Sequence, residues 1–156
     1  MKEIKTEIVI VGGGLTGLLA ACALSSLELR ILLIDAGVIF SDPKKKDFRT
    51  TAIAEGSKLF FEELDIWKSI YKHSEKIKTI KVFDRNISRK ISFSNPENIG
   101  NLGYVVKNTK IKNELIKLLK LKKNLRIMQK TPLERIETNQ NEALVFSGNT
   151  KIISKL

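Results

Sequence analysis

Gly12-x-Gly14-x-x-Gly17 constrains this chain more than any other feature, because of what stands on either side of it. Before it, Glu7 to Val11 is a short run rich in Ile and Val, the pattern of a strand buried on both faces. After it, Leu15 to Leu27 is rich in Leu and Ala and reads as a helix, and a second apolar run, Arg30 to Ile34, ends at Asp35. Strand, glycine turn, helix and strand within about thirty residues make a βαβ unit with a parallel strand pair.

Each glycine of the motif has its own reason. Gly12 permits the sharp turn out of the strand, Gly14 lets backbone approach a pyrophosphate, and Gly17 lets the helix pack closely on the sheet. The amides of Leu15 and Thr16, at the helix start, carry the roughly half positive charge of the helix dipole toward phosphates. Asp35 stands where a carboxylate accepts hydrogen bonds from a ribose diol, and it would repel a cofactor bearing a 2′-phosphate. The alternative for the loop is a glycine turn used only for packing or targeting; for Asp35, it is a carboxylate in an ordinary turn.

The rest of the chain narrows the class. At 156 residues it is long enough for one domain with a real core. A single cysteine, Cys22, and a single histidine, His73, exclude a disulfide framework, a thiolate zinc cluster and a conventional triad, and no metal site is expected. The formal charge is +11, but 22 of the 28 basic residues are Lys and only six are Arg. Base readout and phosphate forks favour Arg, so the lysines read as solvated faces or as a membrane-surface or acidic-partner contact, and no nucleic acid is expected.

Beyond the βαβ unit, Ser41 to Phe48 reads as an exposed loop and Thr51 to Tyr71 as mostly helical, with Ile53, Leu59, Phe60, Leu64 and Trp67 apolar. Lys78 to Phe83 and Lys90 to Phe93 alternate as strands do, around a turn at Asp84-Arg85-Asn86. Asn95-Pro96 opens a loop leading to a short strand at Gly103 to Val106. A helix capped by Asn108 or Thr109 is expected to run to Lys123, with Ile111, Leu115, Leu118 and Leu119 on one face and Asn124 at its end. The tail alternates at Leu125 to Met128, Leu133 to Glu137, Ala143 to Phe146 and Lys151 to Ile153. This order argues for an α/β domain with a strand-rich annex. Trp67, Phe60 and Phe61 read as core, and His73 as a surface residue.

A rival reading takes Lys2 and Lys5, followed by an apolar stretch ending Leu19-Ala20-Ala21-Cys22, as a lipoprotein signal sequence. Glu3, Glu7 and four glycines oppose it, and the stretch from Ile8 to Leu24 is too short and glycine-rich for a membrane span.

The opening IVIVGGGLTGLLAACALS, the strand ILLIDA and the segment FRTTAIAEGSKLFFEELDIW resemble the N-terminal part of the FAD-dependent aromatic hydroxylases of ubiquinone biosynthesis. These are the 2-octaprenyl-6-methoxyphenol hydroxylase-like members of the p-hydroxybenzoate hydroxylase superfamily. GYVVKNTKIKNELI is similar to the later segment in which a strand feeds a helix lining the FAD site. The resemblance implies a Rossmann-like FAD-binding domain, incomplete over residues 1–156, with 75–106 as a partial strand insertion from the substrate domain. By position, Gly12, Gly14 and Gly17 would cradle the FAD pyrophosphate, Asp35 would hold the adenosine ribose, and Arg49 would contact the cofactor; the bland alternative for Arg49 is a solvated loop residue. Members often carry an arginine after Val-x-Asn, where this chain has Thr109 and Lys110, so a bidentate contact becomes at most a point charge.

The chain stops at Ile152 to Leu156, about where members continue into Gly-Ala-Asp-Gly, so the resemblance implies a truncated member: a fragment, a split gene product or a decaying gene. In that family NAD(P)H reduces FAD, O₂ adds at the flavin C4a position, and a polyprenyl phenol is hydroxylated. The catalytic residues would lie mostly beyond Leu156, so none is assigned, and activity is expected only with a complementary downstream polypeptide. The alternatives are a non-catalytic dinucleotide-binding module or a non-functional remnant. A cytoplasmic protein is implied, peripheral at the inner face of the membrane if the lysines of the 108–123 helix meet anionic lipid.

Overall fold

The computed structural model describes residues 1–40, 47–84, 87–94 and 100–155. They fall into two compact units, Met1–Lys46 with Leu115–Leu156, and Asp47–Glu114. The expected 75–106 insertion lies inside the second.

The first unit is organised by one strand. Ile31–Ile34 (β3) is buried at all four residues, as a run of Ile and Leu covered on both faces must be. It pairs in parallel with Ile8–Val11 (β2) on one side and with Leu125–Met128 (β9) on the other. The sequence expectation for the first strand therefore needs correction: β2 is an edge of this three-stranded sheet, and its last residue, Val11, is half exposed.

A four-stranded mixed sheet covers one face. Its strands are Lys2–Thr6 (β1), Arg135–Thr138 (β10), Ala143–Ser147 (β11) and Thr150–Ser154 (β12), in the order β1-β12-β11-β10. Leu32 and Ile34 of β3 pack with Val145 and Ile152 in a buried cluster bordered by Ile4, Val9 and Met128. Each fully buried side chain of this size contributes roughly 1.5–3 kcal/mol, so this cluster is a large part of the unit's stability. By the pleat, Ile31 and Leu33 face the other way, toward the helices. Leu15–Leu24 (α1) buries Leu18, Ala21 and Cys22, with Ser25 continuing the stripe at i, i+3, i+4 and i+7. The expected helix to Leu27 ends in a 3₁₀ turn, Ser25–Leu27.

Asn108–Leu119 (α4) is shorter than the periodicity predicts. Beyond Leu119 the hydrogen bonds tighten from i−4 to i−3, Leu121 donating to Leu118 and Lys122 to Leu119. The tightened turn places Asn124, whose amide donates to the carbonyls of Ser25 at 3.1 Å and Leu29 at 2.9 Å. Ile111, Leu115 and Leu119 are buried as expected; Leu118 is only half-buried, and Ile116 takes its place in the stripe.

In the second unit the expectation of helix from Thr51 fails. Thr50–Ala54 (β4) is a strand paired antiparallel with Gly103–Lys107 (β8), which also pairs with Ser74–Ile77 (β5). The β-branched Thr50, Thr51 and Ile53 suit a pleated surface, and Glu55–Glu63 (α2) starts only after them. Trp67–Tyr71 (α3) follows. Trp67, Phe61, Tyr71 and Tyr104 form an aromatic cluster, Trp67 and Tyr104 edge-on at 4.8 Å. Trp67 and Phe61 are core, as expected, whereas Phe60 and Leu59 are exposed.

Thr79–Asp84 (β6) and Ile87–Ser94 (β7) form a hairpin. Most of the loop at 41–48 and the turn and loop residues Arg85, Asn86, Asn95 and Pro96 lie outside the described residues.

A candidate dinucleotide site at the glycine loop

β2 ends at Val11, and the chain turns through Gly12 at φ +106°, a conformation that L side chains rarely adopt. The Gly12 amide still donates to the Ile34 carbonyl at 2.8 Å, so the turn begins on the sheet itself. Gly17 lies in the first turn of α1, and a Cβ there would overlap the Gly12 carbonyl oxygen. Both residues are glycine because the protein's own backbone leaves no alternative. Gly14 differs: its φ of −70° is ordinary, it is exposed, and a Cβ there would meet nothing within 4 Å. Nothing inside the protein requires glycine at that position.

Gly14 is also the N-cap of α1. It offers no side-chain cap, and the first turn carries no acidic residue. The amides of Leu15, Thr16 and Gly17 belong to the turn that has no intrahelical acceptors, with the positive helix end behind them. An uncapped turn of this kind suits an anion.

Asp35 stands next to it, at the end of β3. One carboxylate oxygen accepts from the Gly13 amide at 2.5 Å and the other from the Gly37 amide at 2.7 Å. Each oxygen can accept a second hydrogen bond, so Asp35 braces the loop and keeps acceptor capacity for a hydroxyl pair. The bracing extends to β9. Asp35 donates its amide to the Met128 carbonyl and accepts at its own carbonyl from Thr131, while Gln129 Oε1 accepts from the amides of Ile39 at 2.8 Å and Phe40 at 3.1 Å.

Sequence reasoning missed two parts of this arrangement. Gly13 is buried, donates to Asp35, and would drive a Cβ into the Ile39 side chain. Its signal is the middle glycine of the run 12–14. Gln129 had no local signal, since its partners lie about ninety positions earlier.

Arg49 belongs to the second unit. Its Nε and Nη2 donate to the two oxygens of Asp47, each at 2.9 Å, and its side chain is 80% exposed. The Arg49 guanidinium holds the Asp47 carboxyl down at about 2, and Asp47 in turn raises the Arg49 pKa. Close by in sequence, the Thr51 hydroxyl donates to Asn108 Oδ1 at 2.7 Å and the Asn108 amide to the Arg49 carbonyl, so the two quoted segments RTTA and GYVVKN are pinned together. Lys110 is half-buried and His73 exposed.

Residues 10–41 match the family described as NAD(P)-binding Rossmann-like domain. The ubiquinone hydroxylase UbiM of Neisseria meningitidis is 25% identical over 97% of this chain and 34% of its own length. The ubiquinone hydroxylase UbiL of Rhodospirillum rubrum is 28% identical over 70% of this chain and 26% of its own. The chain is thus similar, over most of its length, to the N-terminal part of ubiquinone hydroxylases. It spans about a third or less of the length of these two curated relatives.

Two solved monooxygenases have the same fold. p-Nitrophenol 4-monooxygenase PnpA from Pseudomonas putida superposes with a TM-score of 0.74 at 16% identity, covering 99% of this chain and 40% of that one. The flavin-dependent monooxygenase PieE, solved with FAD and substrate, gives 0.75 at 14% identity, covering 99% and 30%. Among the described residues, no helix is long and apolar enough to cross a membrane.

Proposed function

We propose that this chain provides the dinucleotide-binding part of an FAD-dependent monooxygenase that hydroxylates the ring of a polyprenyl phenol, active when completed by a further polypeptide. One observation carries the reading: Gly14 presents open space where a Cβ would stand, directly over the uncapped amides of α1, while its partner glycines are consumed by the fold. Open space beside amides without acceptors leaves room for a diphosphate to approach the backbone.

In this reading Gly12 and Gly17 shape the turn, and Gly14, Leu15 and Thr16 bring backbone amides to the pyrophosphate of FAD. Asp35 holds the adenosine ribose with the lone pairs left by Gly13 and Gly37. Arg49 contacts the cofactor through the N–H groups that Asp47 leaves free, and Asp47 keeps the guanidinium oriented. When bound, FAD supplies the redox chemistry between NAD(P)H, O₂ and the phenol; the protein binds, orients and excludes water. Residues 75–106 then belong to the substrate domain, and the lysines around α4 favour peripheral contact with an anionic membrane face. The curated relatives support the substrate class, since both are named ubiquinone hydroxylases.

The test is calorimetric titration of the purified chain with FAD and with ADP, repeated on Gly14→Val. Binding by the parent chain and a loss of at least about tenfold in Gly14→Val, with thermal unfolding unchanged, is the expected result. Equal affinity in both proteins overturns the site assignment, and absence of binding to the parent overturns the reading for this chain.

A further inference from the structure

The glycine loop uses the carboxyl ends of the parallel strands. At the opposite end, where β2, β3 and β9 begin, two adjoining cavities of about 230 and 390 Å³ share Lys5, Thr6 and Arg30 in their walls. Their rim carries five exposed cations, Lys5, Arg30, Lys123, Arg126 and Lys155. Arg30 approaches Glu7 at 3.5 Å. The other four make no ion pair among the described residues. The floor is already satisfied: the Thr6 hydroxyl donates to the Arg30 carbonyl at 2.7 Å and the Ser154 hydroxyl to the Glu7 carbonyl at 3.1 Å. Recognition at this cleft would therefore come from its charged rim.

A helix dipole does not account for that rim. Lys123 follows α4, whose C-terminal end is worth about half a negative charge, and cations commonly compensate such ends. Adding Glu7 and the Glu142 carboxylate that lines the second cavity, the five cations still exceed the nearby negative charge by roughly two. Like charges held around one concavity repel, and an anion relieves that repulsion. Two of the five are arginines, whose planar forks match tetrahedral oxyanions.

We propose that this cleft is a second anion site, binding a phosphoryl group at the end of the sheet remote from the glycine loop. The proposal does not rest on the cofactor reading. The group can come from a lipid headgroup or from a soluble phosphate, and the test separates the two.

Inorganic phosphate is titrated into the chain while backbone amide resonances are followed, beside Lys123→Gln/Arg126→Gln and a control pair of equal charge change, Lys68→Gln/Lys72→Gln, in the other unit. Shifts at Thr6, Arg30 and Arg126 are expected in the parent and the control, and about tenfold weaker binding in the cleft variant. Co-sedimentation is then compared on phosphatidylcholine vesicles with and without phosphatidylglycerol. Binding that needs the anionic lipid and is lost in the cleft variant supports a headgroup; phosphate shifts without vesicle binding support a soluble ligand. Equal losses in the cleft and control variants, or no shifts at the cleft, overturn the proposal. Because Gly14→Val leaves the cleft intact, its phosphate shifts should equal those of the parent, so failure at either site is read separately.

Discussion

The glycine loop and the Arg49 segment were both expected to hold the same cofactor, yet they are built in different ways. The loop is braced through its backbone amides: Gly12 donates to the Ile34 carbonyl, Gly13 to the Asp35 carboxylate, and Ile39 and Phe40 to Gln129 Oε1. Arg49 depends on one exposed side-chain pair with Asp47. Partly buried hydrogen bonds that share a loop support one another, whereas a surface ion pair competes with water and salt. The first region is therefore preformed and its substitutions are read through stability, while the second is read through titration.

The largest effect is expected at Gly17. A side chain there overlaps the Gly12 carbonyl, so Gly17→Val should cost about 3 kcal/mol, measured by denaturant unfolding. If it unfolds at the parent midpoint, the close helix–strand approach is wrong and the contrast breaks. Asp35→Ala comes next. It leaves the buried Gly13 amide without its acceptor and frees Gly37, at about 2 kcal/mol, and amide exchange at Gly13 should quicken more than at Leu32. Uniform quickening would mean that Asp35 supports the whole unit and does not act on the loop in particular.

What was legible in the sequence follows the same division. The βαβ unit could be read because its signals are local: four consecutive Ile or Leu in β3, a glycine turn, and a Leu/Ala helix. β1 was missed because Lys2, Glu3 and Lys5 make it look polar; only Ile4 and Thr6 face inward, and what fixes it is a parallel partner at Thr150–Ser154, far along the chain. β4 was merged into the following helix because Ile53 happens to continue the apolar spacing of α2. The glycine roles were readable from spacing, but the double use of Asp35 and the part of Gln129 arise from tertiary hydrogen bonds that no local pattern encodes. Periodicity exposed even β9 and β8, whose partners are remote, and failed where the residues themselves misled, at polar β1 and at β4.

A smaller test of the braced side uses Cys22, on α1. Burial pushes its thiol up to about 12, opposed only by the charge of Lys122. At pH 8 roughly one thiol in ten thousand is ionised, so alkylation by iodoacetamide should proceed only as fast as the helix opens. Prompt labelling of the folded protein would show that α1 is loose and that the glycine loop has no firm base.

The smallest effect belongs to Asp47 and Arg49, and it is directional. The Asp47 carboxyl titrates near 2 in the folded chain, below its unfolded value of about 4, chiefly because the Arg49 side chain and amide donate to it. A depressed carboxyl contributes stability that is complete above the unfolded value and disappears as pH falls through the folded one. The pair should therefore be intact at neutral pH and open between about pH 4 and 2, with no change on the alkaline side. Carbon-detected NMR of the Asp47 carboxyl measures this directly: Arg49→Gln should return the midpoint toward 4, and raised salt should move it the same way in the parent chain. A midpoint insensitive to both would mean that Asp47 is held by backbone, as Asp35 is. The two regions would then be built alike after all, and Arg49 would be free to turn wholly toward a ligand.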